Sequence, residues 1–280
     1  WGRLNPGYPV RMHKKPGFPQ SCLVLGWRQD LGNLGRKVTD YLIRKLGGEE
    51  FAEIEPDDFF PLDGVAIEAN VARFPESKFY ACREHELVIM QSDSPRAEWY
   101  RLMDLVLEMA DHDCGVRELY VLGAMVSFSA HTTPRQLLAV VNSAEMKEVL
   151  SQYDLAGDMD YQTQPGERPT LNSFLLWIAR KRNIPGVSLW VPIPFYVAAI
   201  DDAQARKRVL SFLNERLNLG VDFSDLDREI AKQNEQLAQA RSRIPQVNEY
   251  VGRLESNLML SQEENGELIT RIEDFLREGG

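Results

Sequence analysis

The chain has 280 residues, 44% of them hydrophobic, which suits one large domain or two small ones around a sizeable core. Its formal charge of -10 argues against a nucleic-acid backbone or an anionic membrane as the main partner. Cys22, Cys82 and Cys114 form no C-x-x-C pair, which speaks against a disulfide framework and against structural zinc, and no apolar stretch reaches the ~20 residues that span a bilayer.

Residues 1–20 are basic and rich in Pro and Gly (Pro6, Gly7, Pro9, Pro16, Gly17, Pro19), so an extended lead-in without regular structure is expected. They contain no apolar signal segment, and the compartment is read as cytoplasmic; the chain begins at Trp1 rather than Met, so a leader could be missing. A strand is predicted over 21–26, then a Gly-punctuated loop. A helix follows over about 33–46, stopped by Gly47-Gly48. Short strand-like pieces succeed one another at 51–54, 65–71, 79–82 and 87–90. Asp93-Ser94-Pro95 reads as the start of a helix to about His112, with Trp99, Leu102, Met103, Val106 and Met109 inward. Strands at 119–123 and 137–141, and a short helix at 144–151 behind an Asn142–Glu145 capping box, come next. A polar loop (154–169), a helix (171–183), a strand (187–191) and a helix (203–217) complete the domain. Alternating strands and helices argue for a layered α/β fold, and the β-rich stretch 50–91 makes the sheet mixed.

The character changes beyond residue 221. Residues 222–280 carry 13 acidic and 7 basic side chains, a net -6. A helix is expected from Ser224, paired with Asp227 as cap and N3 partner. A seven-residue seam follows: Ile230, Leu237, Ile244, Val251, Leu258, Asn265 and Ile272, with Gln233, Ala240, Val247, Leu254, Ser261, Leu268 and Phe275. Pro245 should break it near Ile244, leaving a second piece over 246–277 of roughly 48 Å. Such an arm, coiled-coil-like, packs on its own domain or on a neighbouring subunit.

Three stretches concentrate residues with chemical potential. Gly26 through Gly35, with Trp27 and Asp30, lies between a strand and a helix, where α/β proteins bind phosphates. It lacks the second Gly of a dinucleotide fingerprint and the Lys-Ser/Thr of a P-loop, so tight turns and close helix packing are the favoured role. Ser127 to Arg135 gathers hydroxyls, His131, Thr132 and Arg135, yet no acid is singled out to orient His131 and there is no G-x-S-x-G elbow. Asp154, Asp158 and Asp160 suggest a metal loop whose calcium spacing fails at Gln162 and Thr163. Trp190 and Tyr196, in an aromatic and Pro-rich strand end, line either a contact surface or the core. No catalytic residue, cofactor or metal site is assigned.

The ordered set Gly26-Trp27 with Asp30, Pro56-Asp57-Asp58-Phe59, Leu122-Gly123-Ala124, His131-Thr132 with Pro134, Ser188-Leu189-Trp190 with Pro194 and Tyr196-Val197, Tyr250-Val251 with Arg253-Leu254-Glu255, and Phe275-Leu276-Arg277 resembles the proteasome-assembly-chaperone family of the second-subunit type, especially its bacterial branch. The resemblance runs from about residue 20 to the end. It implies a nucleoside-phosphorylase-like three-layer α/β/α domain with a helical tail, and a homo-oligomer, often a trimer. Archaeal and eukaryotic relatives bind proteasome α-subunits; some bacterial ones carry a carboxylate-amine ligase label. This chain departs from the family at His131-Thr132-Thr133-Pro134, at Gly166-Glu167-Arg168-Pro169-Thr170 and at Pro194-Phe195-Tyr196, where His-Thr-Arg-Pro, Gly-Pro-Thr-Gly and Pro-His-Tyr are common. Its end, Glu278-Gly279-Gly280, lacks the hydrophobic-Tyr-any-residue docking signal of archaeal relatives.

The expectation is a lead-in (1–20), an α/β domain (21–221) and a helical arm (222–280). The protein is read as a non-enzymatic, oligomeric, assembly-chaperone-like protein binder of unnamed client, touching neither nucleic acid nor membrane. Its candidate ligand or partner surface is Gly26, Trp27, Asp30, His131, Thr132, Arg135, Trp190 and Tyr196. The alternative is an enzyme or small-ligand binder, nucleotide or carboxylate-amine ligase-like, using a strand-end cleft.

Overall fold

Apolar runs bounded by turn residues fold as a sheet, and the amphipathic stretches between them cover it. The computed structural model describes residues 9–60, 65–68, 70–157, 164 and 166–278, with only the backbone of 66 and 68. The expectations placed on Trp1, Pro6, Gly7, Asp158, Asp160, Gln162, Thr163 and Gly279-Gly280 lie outside the described residues. In chain order the elements are β1 (Val10–Met12), β2 (Ser21–Trp27), α1 (Leu34–Leu46), β3 (Glu49–Ile54), β4 (Ala66–Glu68), β5 (Val71–Arg73), β6 (Ser77–Cys82), β7 (Leu87–Ser92), α2 (Trp99–His112), β8 (Val116–Ser127), β9 (Leu138–Val141), α3 (Ala144–Leu150), α4 (Leu171–Lys181), β10 (Gly186–Pro194), α5 (Ala203–Leu217), α6 (Ser224–Arg243), α7 (Pro245–Glu255) and α8 (Gln262–Arg277).

Eight strands hydrogen-bond in the order β1-β3-β6-β7-β2-β8-β10-β9, and β4 with β5 forms a separate ribbon. The sheet is mixed: β2 runs parallel to both β7 and β8, whereas β1, β3, β6 and β7 pair antiparallel in succession. Between β8 and β10 the bonds Leu119 N–H to Pro185 O and Phe195 N–H to Ser127 O advance together, as in a parallel pair.

The chain forms two compact units, one built from the residues up to Gly123 plus Leu138–Leu189, the other from Ala124–Leu137 plus Trp190 onward. In the first, Leu23, Leu25 and Trp27 of β2 pack with Leu102, Val106 and Met109 of α2 and with Leu175 and Ile178 of α4. The opposite face of β2 meets α1 at Gly26, giving three layers. In the second, Leu237, Ala240, Val247, Val251, Leu254, Leu268 and Ile272 of the three C-terminal helices close on Ala130, Tyr196 and Val197.

Several expectations are corrected. Residues 1–20 are not wholly irregular: β1 pairs with β3 between Pro9 and Pro16, because Val10–Met12 retain every N–H a short edge strand needs. The 65–71 strand is instead the hairpin β4–β5, turning at Asn70 with φ 65°. Helix α2 starts at Trp99, not at Pro95. The Asp93 carboxylate accepts the Glu76 N–H at 2.8 Å instead of capping, and the Pro95 carbonyl accepts the Trp99 indole N–H at 2.8 Å. Ser143, not Asn142, caps α3, since Asn142 is drawn to Ile184 and Gly186. Ser224 lies inside α6 rather than capping it. Pro245 breaks the arm as expected, at N1 of α7. The 246–277 rod, however, breaks again at 256–261, where Ser261 and Glu264 form a capping box that starts α8. The arm is therefore three short helices packed on one another, and Leu258, a seam position by count, is 56% exposed.

Candidate functional site

In the first unit, the turn after β2 lies at the carboxyl end of a parallel strand, the usual ligand position of open α/β sheets. Close approach there requires glycine: a Cβ on Gly26 would lie 2.5 Å from the Gly35 carbonyl oxygen. Gly32, at φ 67°, permits the turn before α1. The Asp30 carboxylate then folds back onto the start of α1, Oδ2 accepting the Gly35 N–H at 2.9 Å. A helix N-terminus attracts anions; here the anion is the chain's own side chain. Its Oδ1 is buried without a partner. Burial pushes the Asp30 carboxyl up to about 7, against the pull of the Gly35, Asp30 and Leu34 amides and of Lys37.

Trp27 is buried, and its indole N–H donates to Asn172 Oδ1 at 2.8 Å. Asn172 Nδ2 donates to the Leu122 carbonyl and to Ser188 Oγ, at 3.0 and 3.1 Å. The first turn of α4 is thereby fastened to the sheet from inside. At the ends of β2 and β7, Arg28 bridges Glu76 at 2.6 Å, and the Ser77 and Ser92 hydroxyls lie 2.6 Å apart. Burial alone would raise Glu76, but the Arg28 hydrogen bond and the Lys78 and Arg28 charges hold it below the usual carboxylate range. Sequence reasoning missed Asn172, Arg28 and Glu76. Asn172 alone left a signal, as a polar residue on the apolar stripe of a helix.

In the second unit, the loop after β8 brings His131, Thr132, Arg135 and Tyr196 together. The Tyr196 hydroxyl accepts the His131 backbone N–H at 2.7 Å and lies at hydrogen-bond distance, 2.8 Å, from His131 Nδ1. His131 is 6% exposed. Burial, then the charges of Arg241 and Arg135, lower its pKa to about 4, so it is neutral at physiological pH and a weak base. No carboxylate hydrogen-bonds it among the described residues, and its only hydroxyl partner, Tyr196, is fully buried and pushed up in pKa. A nucleophile–base–acid set does not assemble. Thr132 Oγ1 donates to Glu255 of α7 at 3.0 Å, and Arg241 of α6 grips the same carboxylate twice, at 2.7 and 2.9 Å.

Arg135 Nε meets Asp202 Oδ2 at 2.7 Å in a pair whose side chains are 4% and 1% exposed. Its Nη1 caps the Thr133 carbonyl at 2.5 Å, and Asp202 Oδ1 accepts the Ala205 N–H at the start of α5. Gln233, a polar seam residue, accepts the Ala203 N–H and donates to the Asp201 carbonyl. Trp190 is partly buried on β10. The structure thus gathers His131, Thr132, Arg135 and Tyr196 in one loop-and-helix cluster, whereas Gly26, Trp27 and Asp30 stand together in the other unit. Burial lifts the Cys82 and Cys114 thiols to about 12, which leaves them inert. Among the described residues no group of three His, Cys, Asp or Glu is placed to hold a metal ion, and no helix is long and apolar enough to cross a membrane.

The same fold occurs in solved structures. The Mycobacterium tuberculosis proteasome-assembly chaperone homologue Rv2125 is 20% identical, with a TM-score of 0.67 over 82% of this chain and 99% of that one. PbaB of Pyrococcus furiosus, an archaeal proteasome activator, is 22% identical, with a TM-score of 0.65 over 82% and 97%. The Mycobacterium tuberculosis protein Rv2714, of unknown function, is 18% identical, with a TM-score of 0.75 over 92% and 90%. No curated protein matches the sequence. The profile of the PAC2 family matches residues 23–241, most of the chain, and the protein therefore belongs to the PAC2 family.

Proposed function

We propose that the protein is a non-enzymatic, assembly-chaperone-like binder of other proteins, acting in the cytoplasm and self-associating, with a trimer the first form to test. One observation carries this: the side chains that promised chemistry are spent on internal contacts. Asp30 fills its own anion site, His131 is neutral and closed by Tyr196, and Arg135 is neutralised by Asp202. Relatedness to proteins described as a proteasome-assembly chaperone homologue and a proteasome activator supports the same role. The test is affinity capture from the protein's own cell extract with mass spectrometry, beside light scattering. A specific stoichiometric client and an oligomer are expected. Turnover by the isolated chain, with no client, would replace this function with another.

A second function, small-ligand binding at the β2–α1 turn, is favoured by the buried, unpartnered Asp30 Oδ1 and its pKa near neutrality. A thermal-shift screen of nucleotides and carboxylates tests it. A ligand that stabilises the wild type but not Asp30→Ala would support it.

A further inference from the structure

Four rings stand in an unbroken chain across the first turn of α2 and the middle of α4. Trp99 meets Phe174 edge-on at 5.9 Å, Phe174 meets Trp177 at 5.4 Å, and Trp177 meets Tyr100 at 6.3 Å. Burial does not account for them, since Tyr100 and Trp177 are 50% and 47% exposed. A groove of about 510 Å³ opens at the Trp99 end, between Arg96 and Glu98 on one side and Arg168, Pro169 and Phe174 on the other. Cations flank the rings at both ends. The Arg168 guanidinium lies 6.0 Å above Trp99, and Lys181 Nζ lies 3.8 Å above Trp177 and 5.7 Å from Tyr100.

Neither Arg168 nor Lys181 meets a carboxylate among the described residues, although the chain as a whole carries -10. The neighbouring Arg101 and Arg182 are, by contrast, already paired, with Asp58 and Asp104. Held over ring faces, Arg168 and Lys181 present their charge beside exposed apolar surface that water solvates poorly. Charge of this sign against this apolar floor complements an acidic segment with an apolar or proline residue between its carboxylates.

We propose that this face of α2 and α4 is a docking groove for an acidic protein segment, whose carboxylates meet Arg168 and Lys181 and whose apolar side chain enters beside Trp99 and Phe174. Stacked rings beside cations also suit single-stranded nucleic acid, but two cations at the ends of the ring row, with Glu98 in the groove lining, leave a continuous phosphate backbone mostly unneutralised. The groove deepens the protein-binding function proposed above and rests on it for the class of its occupant.

The test uses the full chain and a fluorescein-labelled peptide of repeated Glu-Leu-Pro triplets, followed by fluorescence anisotropy. The glutamate peptide is expected to bind, with its glutamine counterpart weaker. The double variant Arg168→Glu/Lys181→Glu, and separately Trp177→Ala, should each lose about tenfold or more in affinity with circular dichroism unchanged, as befits exposed positions. Equal binding by the double variant, no binding by the wild type, or tighter binding of labelled oligothymidylate would each overturn the proposal. If the groove fails while affinity capture still returns a client, also bound by the double variant, only the groove is wrong and the protein-binding function stands.

Discussion

Replacing His131 with Asn isolates the energetic effect of burying a neutral imidazole. An Asn amide can take the place of Nδ1 opposite the Tyr196 hydroxyl, accepting through Oδ1 or donating through Nδ2, so the hydrogen bond persists while the titratable group is gone. The folded-state pKa is lowered, from 6.5 to about 4. The native state therefore holds the proton less well than the unfolded chain does. The stability contributed by the neutral ring is fully present above pH 6.5 and is lost as pH falls toward 4. At ~1.4 kcal/mol per pKa unit, the loss is roughly 2 kcal/mol at pH 5 and roughly 3 kcal/mol at pH 4. Urea unfolding of both proteins between pH 7.5 and 4, followed by circular dichroism, measures it. Every other titrating group cancels in the difference. His131→Asn should be equal or slightly weaker at pH 7.5, through lost ring packing, and the more stable protein by pH 4. Stability curves that stay parallel over this range would refute the argument.

The remaining predictions concern the other internal contacts. Asp30→Asn should leave the melting temperature nearly unchanged at pH 3.5, raise it already at pH 5 and raise it most at pH 8. A carboxyl whose pKa is raised from 3.8 to about 7 stays protonated in the folded state while the unfolded chain ionises, so folding becomes costlier as pH rises from 3.8 and the cost levels off above about 7. Arg135→Met should destabilise by about 3–5 kcal/mol in urea unfolding, because the Asp202 carboxylate is left buried without its cation. Gly26→Ala should fail to fold or melt far lower, since the clash is with the Gly35 backbone and no side chain can swing aside; Gly252→Ala, whose Cβ meets nothing within 4 Å, serves as the tolerated control.

Most of the strands and helices were legible because their residues obey a period. A continuous apolar run of strand length bounded by Gly26, such as Leu23-Val24-Leu25, reads as a buried strand, and α5 has the bounds expected, 203–217. The misplaced boundaries share a cause: a polar residue that locally spells a cap had a stronger partner distant in sequence. Asp93 went to the Glu76 amide and Asn142 to Gly186, and no local pattern announces either. The second break of the arm was different, for Ser261 and Glu264 spell a capping box that the seven-residue count overrode. The candidate residues were legible as a group of polar side chains near strand ends, but not in their roles. Tyr196 is 65 positions from His131, and Asp202 is 67 from Arg135. Whether a histidine is a base or a closed internal contact depends on such partners.

The carboxylate of Asp202 does two things at once, holding Arg135 with one oxygen and the Ala205 amide in the first turn of α5 with the other. Fraying of that helix end is therefore coupled to opening of a loop far away in the chain. Deuterium uptake at the Ala205 amide should be as slow as the deepest part of its unit, whereas a helix end of ordinary construction exchanges in its own time.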